Sequence, residues 1–286
     1  MPFTILIDVS SLKGVLNEPD VAVVDCRFDL MKPDAGHRAY LAGHIPKARY
    51  ADLNKDLSSR VSPDSGRHPL PDPQVFAATL RRLGIGAGTQ VIAYDDSAGS
   101  YAARLWWMLR WLGHGAAAVL DGGLQAWTLA GGALSAGEEP AAPDGPAGRF
   151  VPHVDEQAVI GATQLAARLG DPSFSLVDAR AAERFAGSVE PIDAVAGHIP
   201  GAVNHPFSEN LAKDGRFLPA AELRRRWLTR LKGTEPGKVA AMCGSGVTAC
   251  HNLLSLEIAG LGGARLYAGS WSEWIRDPRR PIARDA

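Results

Sequence analysis

No apolar run in this chain approaches the roughly 18–20 residues that a bilayer-crossing helix needs. The opening residues, MPFTILIDVS, have neither the basic start nor the apolar core of a secretion signal. A cytoplasmic protein with no membrane partner is therefore expected. Cysteine is scarce: Cys26, Cys243 and Cys250 are the only three in 286 residues. An odd, sparse set builds no disulfide framework. It builds no zinc site either, because a structural site needs about four Cys or His ligands in tight pairs and no CxxC or HExxH occurs. No metal and no cofactor are implied. Excess positive charge is missing as well, since 30 Lys and Arg face 31 Asp and Glu for a formal charge of -1. That balance argues against a nucleic-acid partner, which needs a basic face.

What is present is the composition of a folded globular chain, with 46% hydrophobic and 21% charged residues. Its length suits two domains, and an internal repeat supports that division. VAVVDCR (21–27) and AGHIPKA (42–48) return as FSLVDAR (174–180) and AGHIPGA (196–202). QVIAYDDSAGSYAARL (90–105) aligns with KVAAMCGSGVTACHNL (238–253), and VLDGGLQAW (119–127) with LYAGSWSEW (266–274). Collinear order over most of each half is not expected by chance. Between the copies, SAGEEPAAPDGPAG (135–148) has the composition of an exposed linker. The expected division is 1–138, a linker over 139–154, and 155–286.

Within each copy, apolar runs such as VAVVD, VIAYD, SLVDA and KVAAM read as strands. SYAARLWWMLRWLG (100–113) and TACHNLLSLEIAG (248–260) read as helices closed by glycine. Strands without polar alternation, separated by helices, predict a mainly parallel sheet covered on both faces. The fold class is α/β.

Cys243 stands where the KVAAM strand ends, ahead of Gly244-Ser245-Gly246-Val247-Thr248 and a helix. Two glycines permit a tight loop with inward amides, and the helix turns its positive end to the same point. Such a setting stabilises a thiolate, the nucleophilic form of cysteine. Ser245 and Thr248 add hydroxyl donors. Sites in open α/β sheets lie at the carboxyl ends of strands, which favours a reactive over a merely packed cysteine here. Asp95 holds the matching position of the first copy and cannot form a persulfide, so only the second copy carries the nucleophile.

On the Cys243–Thr248 loop, the two GHIP segments, Asp178-Ala179-Arg180, Arg184-Phe185-Ala186-Gly187 and Gly269–Trp274, the chain resembles the tandem-rhodanese sulfurtransferases. The resemblance covers nearly the whole length. It implies two rhodanese-like domains, the first inactive and the second catalytic, and a ping-pong cycle. A small-molecule donor, 3-mercaptopyruvate or thiosulfate, would leave its sulfur on Cys243 as a persulfide. A thiophilic acceptor, cyanide or a thiol (a protein thiol included), would remove it. The uncharged loop is similar to the mercaptopyruvate branch. Arg184 matches the arginine that reaches the donor's anionic group in this family, and the loop residues Gly244 to Thr248 line the donor site. A second arginine normally follows Glu-Pro; here Glu190-Pro191 precedes Ile192. HPLP (68–71) matches the segment that covers the active site, giving His68 a part in proton transfer. The acid that accompanies this histidine falls on Asn54, with Asp56 nearby.

Other residues have simpler readings. Asp178 and Arg180 are expected to hold the fold beneath the site, and His44 and His198, present in both copies, to be structural. Cys250 reads as packed and Cys26 as incidental. Trp106, Trp107 and Trp111 read as core or interface, and Arg224, Arg225 and Arg226 as a solvated helix face. A cysteine-based phosphatase would need an arginine six residues after Cys243, where Ala249 stands. A non-catalytic sulfur-carrier or protein-binding module is the other alternative, since the first copy keeps the architecture without the thiol.

Overall fold

The computed structural model describes residues 2–140 and 150–285. Residues 141–149, most of the expected linker, lie outside the described residues. The chain forms two compact units. One comprises Met1–Ser59, Pro71–Asp155 and Asp214–Arg216; the other comprises Arg60–Leu70, Glu156–Lys213 and Phe217–Ala286. The segment Arg60–Leu70 thus groups with the second unit although it falls in the first half of the sequence. Both described ends of the expected linker are tied to the first unit. Glu139 N–H donates to Tyr40 Oη at 3.2 Å, and His153 N–H donates to the Leu112 carbonyl at 3.0 Å.

In the first unit the order is β1 (Leu6–Ile7), α1 (Val9–Val15), β2 (Val21–Asp25), α2 (Ala35–Ala42), β3 (Arg49–Tyr50), α3 (Pro73–Arg82), β4 (Gln90–Tyr94), α4 (Ala102–Trp111), β5 (Ala117–Leu120) and α5 (Gly123–Leu129). Five parallel strands pair in the order β1-β5-β4-β2-β3, with Asp25 beside Tyr94. The central strands are apolar at successive positions because helices cover both faces. Local chemistry sets the helix ends. Asp72 caps α3 by accepting from the Gln74 and Val75 amides, and Pro73 at the first position gives up no bond. Beyond α4, Gly113 takes φ +82°, a left-handed turn that glycine adopts without penalty. Trp106, Trp107 and Trp111 are buried, and the Trp106 indole donates to the Thr4 carbonyl at 2.9 Å.

The second unit contains α6 (Ala162–Ala166), β6 (Ser175–Asp178), α7 (Ala182–Ala186), β7 (Val203–Asn204), α8 (Ala220–Leu231), β8 (Val239–Met242), α9 (Thr248–Ile258), β9 (Arg265–Leu266) and α10 (Ser270–Trp274). Four parallel strands pair as β7-β6-β8-β9, with Asp178 beside Met242. Its core gathers Leu176, Ile199, Met242, Tyr267, Trp271 and Trp274. Each tryptophan N–H finds a carbonyl, Val195 for Trp271 at 2.8 Å and Pro281 for Trp274 at 2.9 Å. Burial with a satisfied N–H makes such a ring worth about 3–5 kcal/mol against alanine. Among the described residues no helix is long and apolar enough to cross a membrane.

A repeated brace ties the strand ends. Arg180 Nε and Nη2 donate to the Asp178 carboxylate at 2.9 and 2.7 Å, and Nη2 also reaches the Gly197 carbonyl at 2.8 Å. Arg27 does the same with Asp25 and the Gly43 carbonyl. The two GHIP histidines are packed alike: His44 lies on Tyr40 with ring centres 4.2 Å apart, and His198 on Phe185 at 3.9 Å. Arg225 and Arg226 pair with Glu222 along α8, whereas Arg224 fastens to the Ala259 carbonyl at the end of α9.

Candidate active site

β8 delivers Cys243 to the carboxyl edge of the second sheet, where the chain must turn before α9. Gly246 makes the turn with φ +78°, and a side chain there would strike the Ala268 carbonyl. The turn points the Ser245 and Gly246 amides at Cys243 Sγ, at 3.4 and 3.2 Å. These amides precede α9, so the loop supplies the direct donors and the helix start lies behind it. Val247 is buried at the N-cap, and Thr248 is half-buried as the first helical residue. Cys243 is 2% exposed, and its Sγ faces those two amides.

The loop is clamped from α10. Ser270 Oγ accepts from the Cys243 amide at 3.1 Å, the Trp271 amide donates to the Cys243 carbonyl at 3.0 Å, and the Ser272 amide donates to the Gly244 carbonyl at 2.9 Å. This gives the Gly269–Trp274 motif a definite task, which its sequence alone did not reveal. Ser270 sits at φ +53°, a conformation serine seldom adopts.

The segment Gly66–His68 lies against the same loop. Gly66 is packed so closely on the Gly269 carbonyl that a side chain would not fit. The Arg67 amide donates to Ser272 Oγ at 3.0 Å, and His68 Nδ1 lies 2.7 Å from Ser245 Oγ. His68 is therefore joined to the loop through Ser245. Asn54, the position of the acid that accompanies this histidine in the family, is exposed, and Asp56 is paired with Arg82 and accepts from the Asp52 amide.

Two guanidiniums overlie Gly244. A Cβ at this position would stand 2.8 Å from Arg67 Nη2 and 3.6 Å from both Arg184 Nη1 and Nη2, so a side chain at residue 244 would displace the Arg67 guanidinium. Arg184 Nη2 donates to Glu190 at 2.7 Å and to Asp193 at 3.1 Å. Arg67 Nη1 pairs with the other oxygen of Asp193. Burial would raise the Glu190 carboxyl, but the Arg184 bonds and the Asp193 and Ile192 amides outweigh it and hold it below the ordinary range. For Asp193 burial prevails over Arg67 and pushes the carboxyl up. Ile192 offers only its amide, which donates to Glu190 at 3.0 Å.

Arg67 and Asp193 escaped the sequence reading. Arg67 adjoins His68, and that adjacency was the available signal. Cys250 is buried against the back of the loop, with Sγ 3.3 Å from the Gly246 carbonyl, and burial pushes the Cys26 thiol of the first unit well up.

The rhodanese-like domain family matches residues 8–130 and again 161–277. The chain belongs to the tandem-rhodanese sulfurtransferase family. A probable 3-mercaptopyruvate sulfurtransferase of Pseudomonas aeruginosa is 51% identical over 280 residues, covering 97% of each chain. A putative thiosulfate sulfurtransferase of Mycobacterium tuberculosis is 42% identical over 283 residues, covering 98% of this chain and 97% of its own. The structure of 3-mercaptopyruvate sulfurtransferase from Leishmania major superposes with a TM-score of 0.83 at 34% identity, covering 95% of this chain and 74% of that one. The rhodanese-like domain occurs twice here, and the second copy holds the Cys243 loop.

Proposed function

We propose that this enzyme moves sulfane sulfur from a small anionic donor, 3-mercaptopyruvate or thiosulfate, to a thiophilic acceptor through a persulfide on Cys243. The observation that carries the reading is the convergence of the Ser245 and Gly246 amides on Cys243 Sγ. N–H donors aimed at a sulfur stabilise its anion and leave it nucleophilic. They serve a persulfide anion equally well.

With mercaptopyruvate, the Cys243 thiolate attacks the donor's sulfur, forming an S–S bond as the C–S bond breaks. The electron pair of that bond passes to the carbon as an enolate. The proton lost by the donor thiol goes to this carbon, giving pyruvate. Ser245 and His68, joined at 2.7 Å, are the groups of the loop able to pass that proton. Cyanide or a thiolate then attacks the outer sulfur and releases Cys243 as a thiolate. Arg184, beside Gly244, holds the donor's anionic end, and the backbone of Gly244 to Thr248 shapes the cradle. The first unit lends no nucleophile, because Asp95 occupies the matching position. A free catalytic thiol and thiol acceptors, protein thiols among them, suit the reducing cytoplasm.

Mass spectrometry of the protein after donor treatment tests this reading. The peptide containing Cys243 should gain one sulfur atom and lose it on adding cyanide, with thiocyanate released. Cys243→Ser should fold and transfer nothing. Full activity in that variant would defeat the proposal.

A further inference from the structure

Position 192 lacks a cation, yet a second guanidinium stands over the nucleophile's neighbour. We propose that Arg67 holds the donor's anionic group together with Arg184, taking the part that Ile192 cannot. The inference rests on the sulfur-transfer reading and adds a specificity residue to it.

The Nε–Nη2 edge of Arg67 is the one that Asp193 does not take. Nη1 is committed to Asp193, whereas Nε is buried without a hydrogen-bond partner among the described residues. A buried, unpaired guanidinium N–H is costly unless something accepts from it. Nη2, the other arm of that fork, is the atom 2.8 Å from the Cβ position of residue 244. The planar fork matches a carboxylate or a sulfonate-type oxygen pair. An anion seated there would lie against the residue that follows Cys243, within reach of Arg184 as well.

Asp193 is the positioning residue of this pair. One carboxylate oxygen takes Arg67 and the other Arg184, so the two guanidiniums are held side by side. Its own backbone is fixed by donation to Glu190 at 3.0 Å. The Arg67 main chain is pinned separately through Ser272. Two guanidiniums faced by two carboxylates leave little excess positive charge, so a donor with one negative charge is accommodated more readily than one with two.

Steady-state kinetics with 3-mercaptopyruvate and with thiosulfate, cyanide as acceptor, test the assignment. Arg67→Gln should raise KM for mercaptopyruvate about 10–100-fold, the loss expected for a charge-assisted bond. A merely structural role would not confine the change to KM, so kcat should stay within about threefold. Adding Ile192→Arg to Arg67→Gln should bring most of that KM back. Should Arg67→Gln fail to fold, Arg67→Lys serves, keeping the charge but losing the fork, and KM should still rise several-fold. An unchanged KM, or no rescue from position 192, overturns the inference if the parent still forms the Cys243 persulfide. A parent that forms no persulfide overturns the sulfur-transfer reading with it.

Discussion

In the first unit the loop after β4 wraps four backbone N–H groups around the Asp95 carboxylate, from Ser97, Gly99, Tyr101 and Ala102 at 2.8–2.9 Å. In the second the loop after β8 turns two N–H groups toward the Cys243 sulfur. Both are amide nests at the end of a buried strand, and both hold a negatively polarised group. The difference is in the occupant: Asp95 takes four N–H groups on two carboxylate oxygens, while Cys243 takes two on a single sulfur. Asp95 is fully buried, and burial pushes its carboxyl up against the pull of those amides. The duplicated fold thus presents inward amides at the same strand end in both units, with a carboxylate as acceptor in one and a thiol sulfur in the other.

Cys243→Asp would carry that carboxylate across. Transfer should vanish entirely, and because the loop amides gain a carboxylate acceptor, the melting temperature should not fall. A destabilised protein would break the equivalence of the two nests. Next in size is Asp95→Ala, which leaves four N–H groups without their acceptor, those of Gly99 and Ala102 buried. Denaturant unfolding should register a loss of roughly 2–4 kcal/mol. An unchanged midpoint would mean that the carboxylate is not what holds the first loop. The smallest effect is expected from Ser245→Ala, which removes the Ser245–His68 bond while leaving both amides on sulfur. A fall of about tenfold in kcat, with persulfide still formed, would separate proton transfer from nucleophile stabilisation. A kcat equal to the parent's would remove the Ser245–His68 pair from the proton route.

Much of this was legible in the sequence. The aligned strands, the Asp-x-Arg braces and the Cys243 loop all depend on local patterns, apolar runs and glycines, which a linear reading detects. His68 was legible through the HPLP resemblance. Arg67 was not, because its meaning depends on Asp193, which lies 126 residues away in sequence. The same applies to Ser270 and Ser272, whose partners Cys243 and Arg67 are remote in sequence. The grouping of residues 60–70 with the second unit was also hidden, since composition marks where a chain can leave a domain and not where it docks. Asp95 was read as a lost nucleophile; its four amide bonds, which give it a use, come from loop geometry that residue types alone do not encode.

The clamp from α10 has a consequence for how the sulfur site answers a change of charge. With the carbonyls of Cys243 and Gly244 drawn off by the Trp271 and Ser272 amides, the two peptide planes that follow the sulfur's residue, including the one that carries the Ser245 N–H, are held in place. No oxygen of those two residues can swing toward the sulfur when it is neutral, and none must swing away when it ionises. The Ser245 dipole is therefore oriented before the donor arrives, and that much of the reorientation is not left for the reaction to perform.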